Sequence, residues 1–309
     1  MTGLFYTRHA LAAWIEVIGE DAAEFLQGQF SADLRAGVGQ ATYGLWLDHQ
    51  GKIQGDSFVL QTAPEAFILT SYATSAEVLV NMLEAKIIAD DVTLAPVAET
   101  PELVTVFALA ESGQTPADGA RAEAVVTGRF QYNKAHFAWR GRWPGAWAID
   151  HAGSRTACDA LAAELQAEGV AELPSAQFET RRIQAGIPLI GKEIDEGDTP
   201  MEAGLMEAVS LTKGCYLGQE VMARASRLGR VTRRLVRVSG ATSATDWPEL
   251  PIALESREGI VVGQLRAWAD TADGGVGLAM IRKRFLNSRD KVLIFKYNEE
   301  NSIQLKIHE

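Results

Sequence analysis

Apolar and polar positions follow two rhythms along this chain, and the rhythm changes near residue 229. Residues 13–18, Ala-Trp-Ile-Glu-Val-Ile, read as a short strand. Gly19-Glu20-Asp21 leads from it into a helix on which Ala22, Phe25, Leu26 and Phe30 form one apolar stripe. Alternating runs follow at 41–47, 52–60 and 66–72, separated by turn-rich Asp48-His49-Gln50-Gly51 and Thr62-Ala63-Pro64-Glu65, which is the pattern of a β-meander. Thr74-Ser75-Ala76-Glu77 has capping-box form and predicts a helix through about Ile88. Strands are predicted at 91–98 and 103–110, then a polar loop at 111–122, then strand-like pieces at 124–130, 136–141 and 146–150. Helices are predicted at 156–168 and 176–185, the second stopped by Gly186 with Pro188 beyond it, and a short one at 219–227 behind Gly218. From Val231 onward nearly every apolar run is strand-like, which predicts an all-β, barrel-like C-terminal domain. The expected division is therefore 1–228 and 229–309.

Composition changes this picture little. At 309 residues two or three substructures are expected, and 47% hydrophobic with 22% charged residues is ordinary for a soluble protein. A net charge of −11 argues against tight binding to extended nucleic acid, which needs a basic surface to release counterions. The N-terminal stretch has no charged segment followed by an apolar one, so no secretion signal is expected, and the apolar run Leu103–Ala110 is too short to span a bilayer. Two cysteines, Cys158 and Cys215, make no disulfide framework, and the five histidines pair with neither at ligand spacing. A cytoplasmic protein with reduced thiols is expected. It could not hold an iron–sulfur cluster or structural zinc by its own cysteines alone.

Three stretches carry candidate chemistry. Gly186-Ile187-Pro188-Leu189-Ile190-Gly191-Lys192 matches seven positions of a P-loop, but Glu193 stands where Ser or Thr must meet magnesium, and Pro188 lacks an amide donor. It reads as a helix stop. Lys213-Gly214-Cys215-Tyr216-Leu217-Gly218-Gln219-Glu220 surrounds a cysteine with a lysine, two glycines and a helix start. Both the lysine and the helix N-terminus would lower a thiol pKa, and glycines permit close backbone approach to a ligand. A small apolar side chain packed in a turn is an equally good reading of the same residues. Cys158, in an Ala-rich helix, reads as structural. Arg224, Arg227, Arg230, Arg233 and Arg234 follow within eleven residues. Charge runs are usually solvated faces, and the functional reading is a rim that attracts a polyglutamate tail or the acidic face of a partner. Trp139, Trp143 and Trp147 read as core and rim, with one able to stack on a flat ring.

The octapeptide Lys213–Glu220 resembles the K-G-C-[FY]-x-G-Q-E signature of the YgfZ-type folate-binding proteins, matching every fixed position. The likeness continues through Gly19–Gln29 with Asp33, through Gly51-Lys52, through Arg182–Pro188, through Pro200–Leu205 and through Gly277–Arg282, which resemble motifs of the wider glycine cleavage T-protein (aminomethyltransferase) superfamily. The resemblance implies an α+β, three-lobed T-protein-like fold: two intertwined lobes over 1–228 form a folate-binding region, followed by the barrel. It implies binding of tetrahydrofolate or a one-carbon derivative. It also implies a role in assembling or repairing iron–sulfur clusters in client enzymes, tRNA-modifying ones included, with Cys215 as the key residue. On this likeness Cys215 and Lys213 are the catalytic candidates, with Gly214, Tyr216, Gly218, Gln219 and Glu220 completing the motif. Gln27, Arg182, Glu202 and Arg224 are the candidate folate contacts. Folate and iron–sulfur client or assembly proteins are the expected partners, with neither nucleic acid nor membrane. The carboxylate that true aminomethyltransferases carry after the third meander strand has no match in Ile68–Val78 before Glu77. Their later folate-binding glutamate has none in Trp139–Trp147. Aminomethyl or other one-carbon transfer is accordingly the alternative reading, and a non-catalytic scaffold the third.

Overall fold

The computed structural model describes residues 3–108, 128–133, 136–143, 145, 147–229, 231–241, 249–288, 291–296 and 302–308. The loop expected at 111–122, residues 124–127 of the strand expected at 124–130, and Arg230 lie outside them.

In chain order the elements are β1 (Leu4–Ala10), β2 (Ala13–Ile18), α1 (Ala22–Gln29), β3 (Ala41–Leu47), β4 (Ile53–Ala63), β5 (Ala66–Ser71), α2 (Ala76–Glu84), β6 (Thr93–Pro96) and β7 (Glu102–Ala108). They continue with β8 (Gln131–Asn133), β9 (His136–Arg140), β10 (Trp147–Gly153), α3 (Arg155–Ala167), β11 (Ala171–Glu172), α4 (Ser175–Ala185), α5 (Pro200–Ala203) and α6 (Gln219–Leu228). Last come β12 (Arg233–Gly240), β13 (Ile252–Glu255), β14 (Val261–Thr271), β15 (Gly274–Arg282), α7 (Lys283–Leu286), β16 (Leu293–Lys296) and β17 (Ser302–His308).

The meander β3–β4–β5 continues into β2 and β6 as a five-stranded sheet. Its inner face meets the apolar stripe of α1, where Ala22, Phe25 and Leu26 are buried and Phe30 lies 4.7 Å from the Trp46 ring. A second, six-stranded sheet has the order β11-β1-β7-β10-β9-β8, and Cys158, Leu161 and Leu165 of α3 pack on it. The strand β1 was not foreseen. It lies inside that sheet between β11 and β7 with Tyr6 and Thr7 both buried, and a strand covered on both faces loses the alternation that marks one from sequence. The helix after β5 also differs from expectation. Ser75 rather than Thr74 is its N-cap, accepting from the Val78 amide at 3.3 Å, while the Thr74 hydroxyl is drawn inward to Asp56 at 2.8 Å. That helix ends at Glu84, and Ile88 is exposed.

The six C-terminal strands close into a barrel in the order β12-β15-β14-β13-β16-β17, with Val238, Leu254, Leu265, Ile281, Leu293 and Phe295 buried inside. The expected barrel is therefore present. It is attached to the rest of the chain through α4 and the segment after it. Ile183 of α4 packs on Ala267 and Leu278 of the barrel wall. Beyond Pro188 the chain supplies acids that meet barrel arginines. The carboxylate of Asp198, fully buried, accepts from Arg266 of β14 and lies 3.1 Å from Arg233 of β12. The Asp198 carbonyl accepts from the amide of Ile53 in β4 at 2.9 Å. One residue thus joins the meander sheet to two strands of the barrel.

Removing one partner from a buried ion pair leaves the other charge without compensation, at about 3–5 kcal/mol. Asp198→Ala is expected to cost about that much in urea unfolding. A loss under about 1 kcal/mol, the level of an exposed pair, would show that the junction does not depend on Asp198.

Candidate functional site

The octapeptide around Cys215 is built against the end of α1. A helix leaves its last carbonyls without intrahelical donors, and two groups of the motif supply them. The Lys213 ammonium donates to the carbonyls of Gln27, Phe30 and Ala32 at 2.6, 2.5 and 2.8 Å. The Leu217 amide donates to Gly28 at 3.2 Å. Lys213 is buried, and that burial lowers its pKa from 10.5 to about 8, with nearby Asp33 acting the other way. Its ammonium also stands 5.0 Å from the centroid of the Tyr216 ring. Tyr216 packs with Leu45, Leu47, Ile53 and Ile190, and burial raises its hydroxyl to about 12.

Two glycines set the course of the loop. Gly218, at φ +84, lies against the hairpin of β3 and β4, where an added Cβ would stand 2.7 Å from the Asp48 carbonyl oxygen. Gly214 has φ +109 with open space around it, so a β-branched residue there would be strained by its backbone alone. Between these anchors Cys215 is exposed, and α6 begins at Gln219, with Glu220 exposed in its first turn.

The second feature is a cleft of about 430 Å³ lined by His9, Tyr72, Trp143, Phe178, Glu179 and Lys192, among others. Its rings touch one another: Tyr72 and Trp143 have centroids 4.2 Å apart, His9 and Trp143 5.1 Å, Trp143 and Phe178 5.0 Å. Behind them lies a carboxyl that sequence reasoning missed. Asp150 of β10 is fully buried and accepts from the hydroxyl of Tyr72, from Thr105 at 2.6 Å and from the Trp143 indole at 3.0 Å. Since the Thr105 hydroxyl gives its proton to Asp150, it accepts from His9 Nε2 at 2.7 Å, which fixes that ring's tautomer. Burial raises Asp150 from 3.8 to about 6 and lowers His9 from 6.5 to about 4. The signal available in sequence was an acid inside the apolar strand Trp147–Gly153, where a buried position demands partners.

Several expected site residues turn out to hold the protein together. Arg182 is fully buried, and its guanidinium is consumed by Glu179, by Glu193 and by the Ile187 carbonyl, which leaves no donor for a folate. Glu202 forms a capping box with Thr199 at the start of α5 and bonds Arg233 and Thr232. Gln27 bonds Asp33 and the Leu34 amide beside a separate hollow of about 320 Å³. Lys213 is a helix cap, with its charge directed to carbonyls rather than to the thiol. Arg224 is exposed on α6. The structure brings Lys213 and Gln27 together, but no motif residue lines the aromatic cleft.

A model of the GCVT N-terminal domain matches residues 9–110. The chain is 30% identical over 277 residues to the tRNA-modifying protein YgfZ of Edwardsiella ictaluri, covering 86% of this chain and 81% of the relative. It belongs to the YgfZ family. The YgfZ-family chain is also 27% identical over 296 residues to the mitochondrial iron–sulfur cluster assembly factor IBA57 of Mus musculus, covering 87% and 75%. Its fold is that of the glycine cleavage system aminomethyltransferase T of Bartonella henselae, with a TM-score of 0.78 over 99% of this chain and 85% of that one, at 19% identity.

Two measurements follow. Cys158 is buried with its thiol raised by burial, whereas Cys215 is exposed. A thiol reagent on the native YgfZ-family chain is expected to label Cys215 first, and equal rates in the native state would contradict the placement of both. The second measurement concerns pH. A carboxyl raised from 3.8 to about 6 keeps its proton in the native state after the unfolded chain has lost it. It therefore contributes a fall in stability as pH rises across that window. His9, lowered to about 4, contributes a rise between about 4 and 6.5. Comparison with Asp150→Asn separates the two: the variant is expected to become more stable with rising pH, relative to wild type, through that window. Parallel pH profiles would contradict the assignment.

Proposed function

We propose that this YgfZ-family chain binds a reduced folate in the aromatic cleft and acts in the assembly or repair of iron–sulfur clusters in client enzymes, tRNA-modifying ones included, through the Cys215 thiol. The observation that carries the folate reading is the ring-lined cleft anchored on Asp150. A pterin is flat, apolar on its faces and polar along its edge. The cleft offers Trp143, Tyr72 and Phe178 for the faces, His9 and Glu179 for polar contacts, and Lys192 near its rim for a tail carboxylate. At about 430 Å³ it lies within the range of roughly 300–1,000 Å³ usual for such ligands. The residues present fit the group. The iron–sulfur reading is supported by the likeness to the mouse cluster assembly factor, and the tRNA-modifying part by the likeness to the Edwardsiella protein. In it the cluster is cargo, Cys215 offers a single exposed thiol, and the remaining ligands come from the client. A cytoplasmic location and the division into a folate-binding region at 1–228 and a barrel domain from 229 belong to the same proposal.

One observation favours a second reading, one-carbon transfer. Asp150 is a buried acid whose partner, the Tyr72 hydroxyl, belongs to a residue lining the cleft, and burial raises its pKa to about 6, a value suited to proton transfer near neutrality. An aminomethyl-transfer assay with tetrahydrofolate decides it.

Tetrahydrofolate is expected to quench tryptophan fluorescence, with Trp143→Phe removing most of the change. No binding at millimolar folate would leave an interaction scaffold as the better reading. Cys215→Ser is expected to fold normally and bind folate unchanged, yet to fail in restoring iron–sulfur enzymes to cells lacking the native protein. Gly214→Val, strained at its positive φ, should lose stability as well. Full complementation by Cys215→Ser would show that the thiol is not used.

A further inference from the structure

A chain with net charge −11 carries several exposed arginines on and around α6 and α7. Arg224 and Arg227 are exposed on α6. The C-cap of that helix, Gly229, gives its carbonyl to the Lys283 ammonium at 3.1 Å, so the end of α6 abuts the start of α7. There the register of β12 and β15 sets Arg233 directly opposite Arg282. Arg233 has acidic partners in Asp198 and Glu202. No ion pair or hydrogen bond among the described residues engages the side chains of Arg224, Arg227, Arg234, Arg282 or Arg284. Beside them is a hollow of about 600 Å³ lined by Thr232, Arg233, Arg282, Lys283, Arg284 and Asn287.

Arg233 is held by its acids, but Arg282 opposite it has no such compensation among the described residues, and like charges directly opposite across strands destabilise a sheet. Arginine predominates, and its planar fork grips carboxylate pairs in a way that lysine does not. No aromatic side chain lines the hollow, so it lacks the stacking platforms that single-stranded nucleic acids use. At the other end of the strip, Leu211 and Val221 expose 40% and 38% of their surface on the segments that flank Cys215. Exposed apolar side chains near arginines are the composition of a protein-docking surface.

We propose that the strip from α6 to α7 docks an acidic face of a partner protein and steers that partner toward the Cys215 loop. The strip shares no residue with the aromatic cleft, so the proposal stands apart from folate binding.

The test uses the full-length protein, a fluorescein-labelled oligoglutamate peptide, an uncharged peptide of equal length and a single-stranded oligonucleotide of matched charge. The fourfold variant Arg224→Gln, Arg227→Gln, Arg282→Gln, Arg284→Gln alters only exposed side chains, and its unchanged melting temperature checks the fold. Fluorescence anisotropy is expected to show oligoglutamate binding that weakens about tenfold or more as salt rises past 0.1 M, where the screening length is about 10 Å. The variant is expected to lose the same amount, while its affinity for mono- and polyglutamylated tetrahydrofolate stays as in wild type. Equal binding of the oligoglutamate and uncharged peptides, or oligoglutamate binding untouched by the variant, would overturn the proposal. Tighter binding of the oligonucleotide would assign the strip to nucleic acid instead. Selective loss of polyglutamylated folate would assign it to the folate tail.

Discussion

The structure depends on a buried ionic seam that reinforces a small apolar contact between the barrel and the rest of the chain. On one side, Arg182 from α4 is fixed by Glu193; on the other, Arg233 and Arg266 from the barrel are fixed by Asp198. All of the acids in these pairs come from the short segment between Pro188 and α5. Charges taken out of water are expensive unless the geometry is good and the remaining hydrogen bonds are made. Here most of them are made: Glu193 also accepts from the Leu189 amide at 2.9 Å and its carbonyl accepts from Arg266 at 2.8 Å, while the buried Arg266 Nε is left without a partner among the described residues. An apolar contact of the same area would hold the parts together less specifically. The ionic version admits one orientation of barrel against sheets, because each guanidinium must meet its own acid.

The same logic operates at the motif on a smaller scale. Lys213 is not a satellite of the thiol but the cap of a helix elsewhere in the chain, and its three carbonyl partners fix where the loop begins. Gly218, pressed on the Asp48 carbonyl, fixes where it ends. What remains free between the two anchors is Gly214 and Cys215. A short exposed turn held rigidly at both ends presents a thiol at a defined place while leaving it accessible, and neither a mobile loop nor a buried cysteine would do both.

Much of this was legible in the sequence wherever a periodic signal coincided with a local one. The stripe Ala22, Phe25, Leu26 and Phe30, the meander strands and the stop at Gly186 were read at nearly their observed positions, because turn chemistry and hydrophobic spacing agreed. The barrel was visible as a change of rhythm. Long-range partners were not visible. Arg182 and Glu202 stand in superfamily motifs, so they were read as ligand contacts, yet their partners are a carboxylate eleven residues on and an arginine at 233. Asp150 went unnoticed because its donors, Tyr72, Thr105 and Trp143, come from separate stretches that only the six-stranded sheet and the meander bring together.

Cleft and motif share no lining residue, but they stand on opposite sides of one piece of backbone. Leu189 lines the aromatic cleft, and Ile190, its neighbour, packs in the cluster that holds Tyr216 of the motif. Any influence of a bound ligand on the thiol by this route must pass through these two residues. Glu193 clamps the Leu189 amide, and Arg182 and Arg266 clamp Glu193, so this connector sits inside the ionic seam rather than in a flexible loop. A connector held this firmly transmits small displacements as rigid shifts instead of absorbing them. The seam that fixes the barrel thus also fixes the distance between the place where a flat ring can bind and the place where a thiol is exposed.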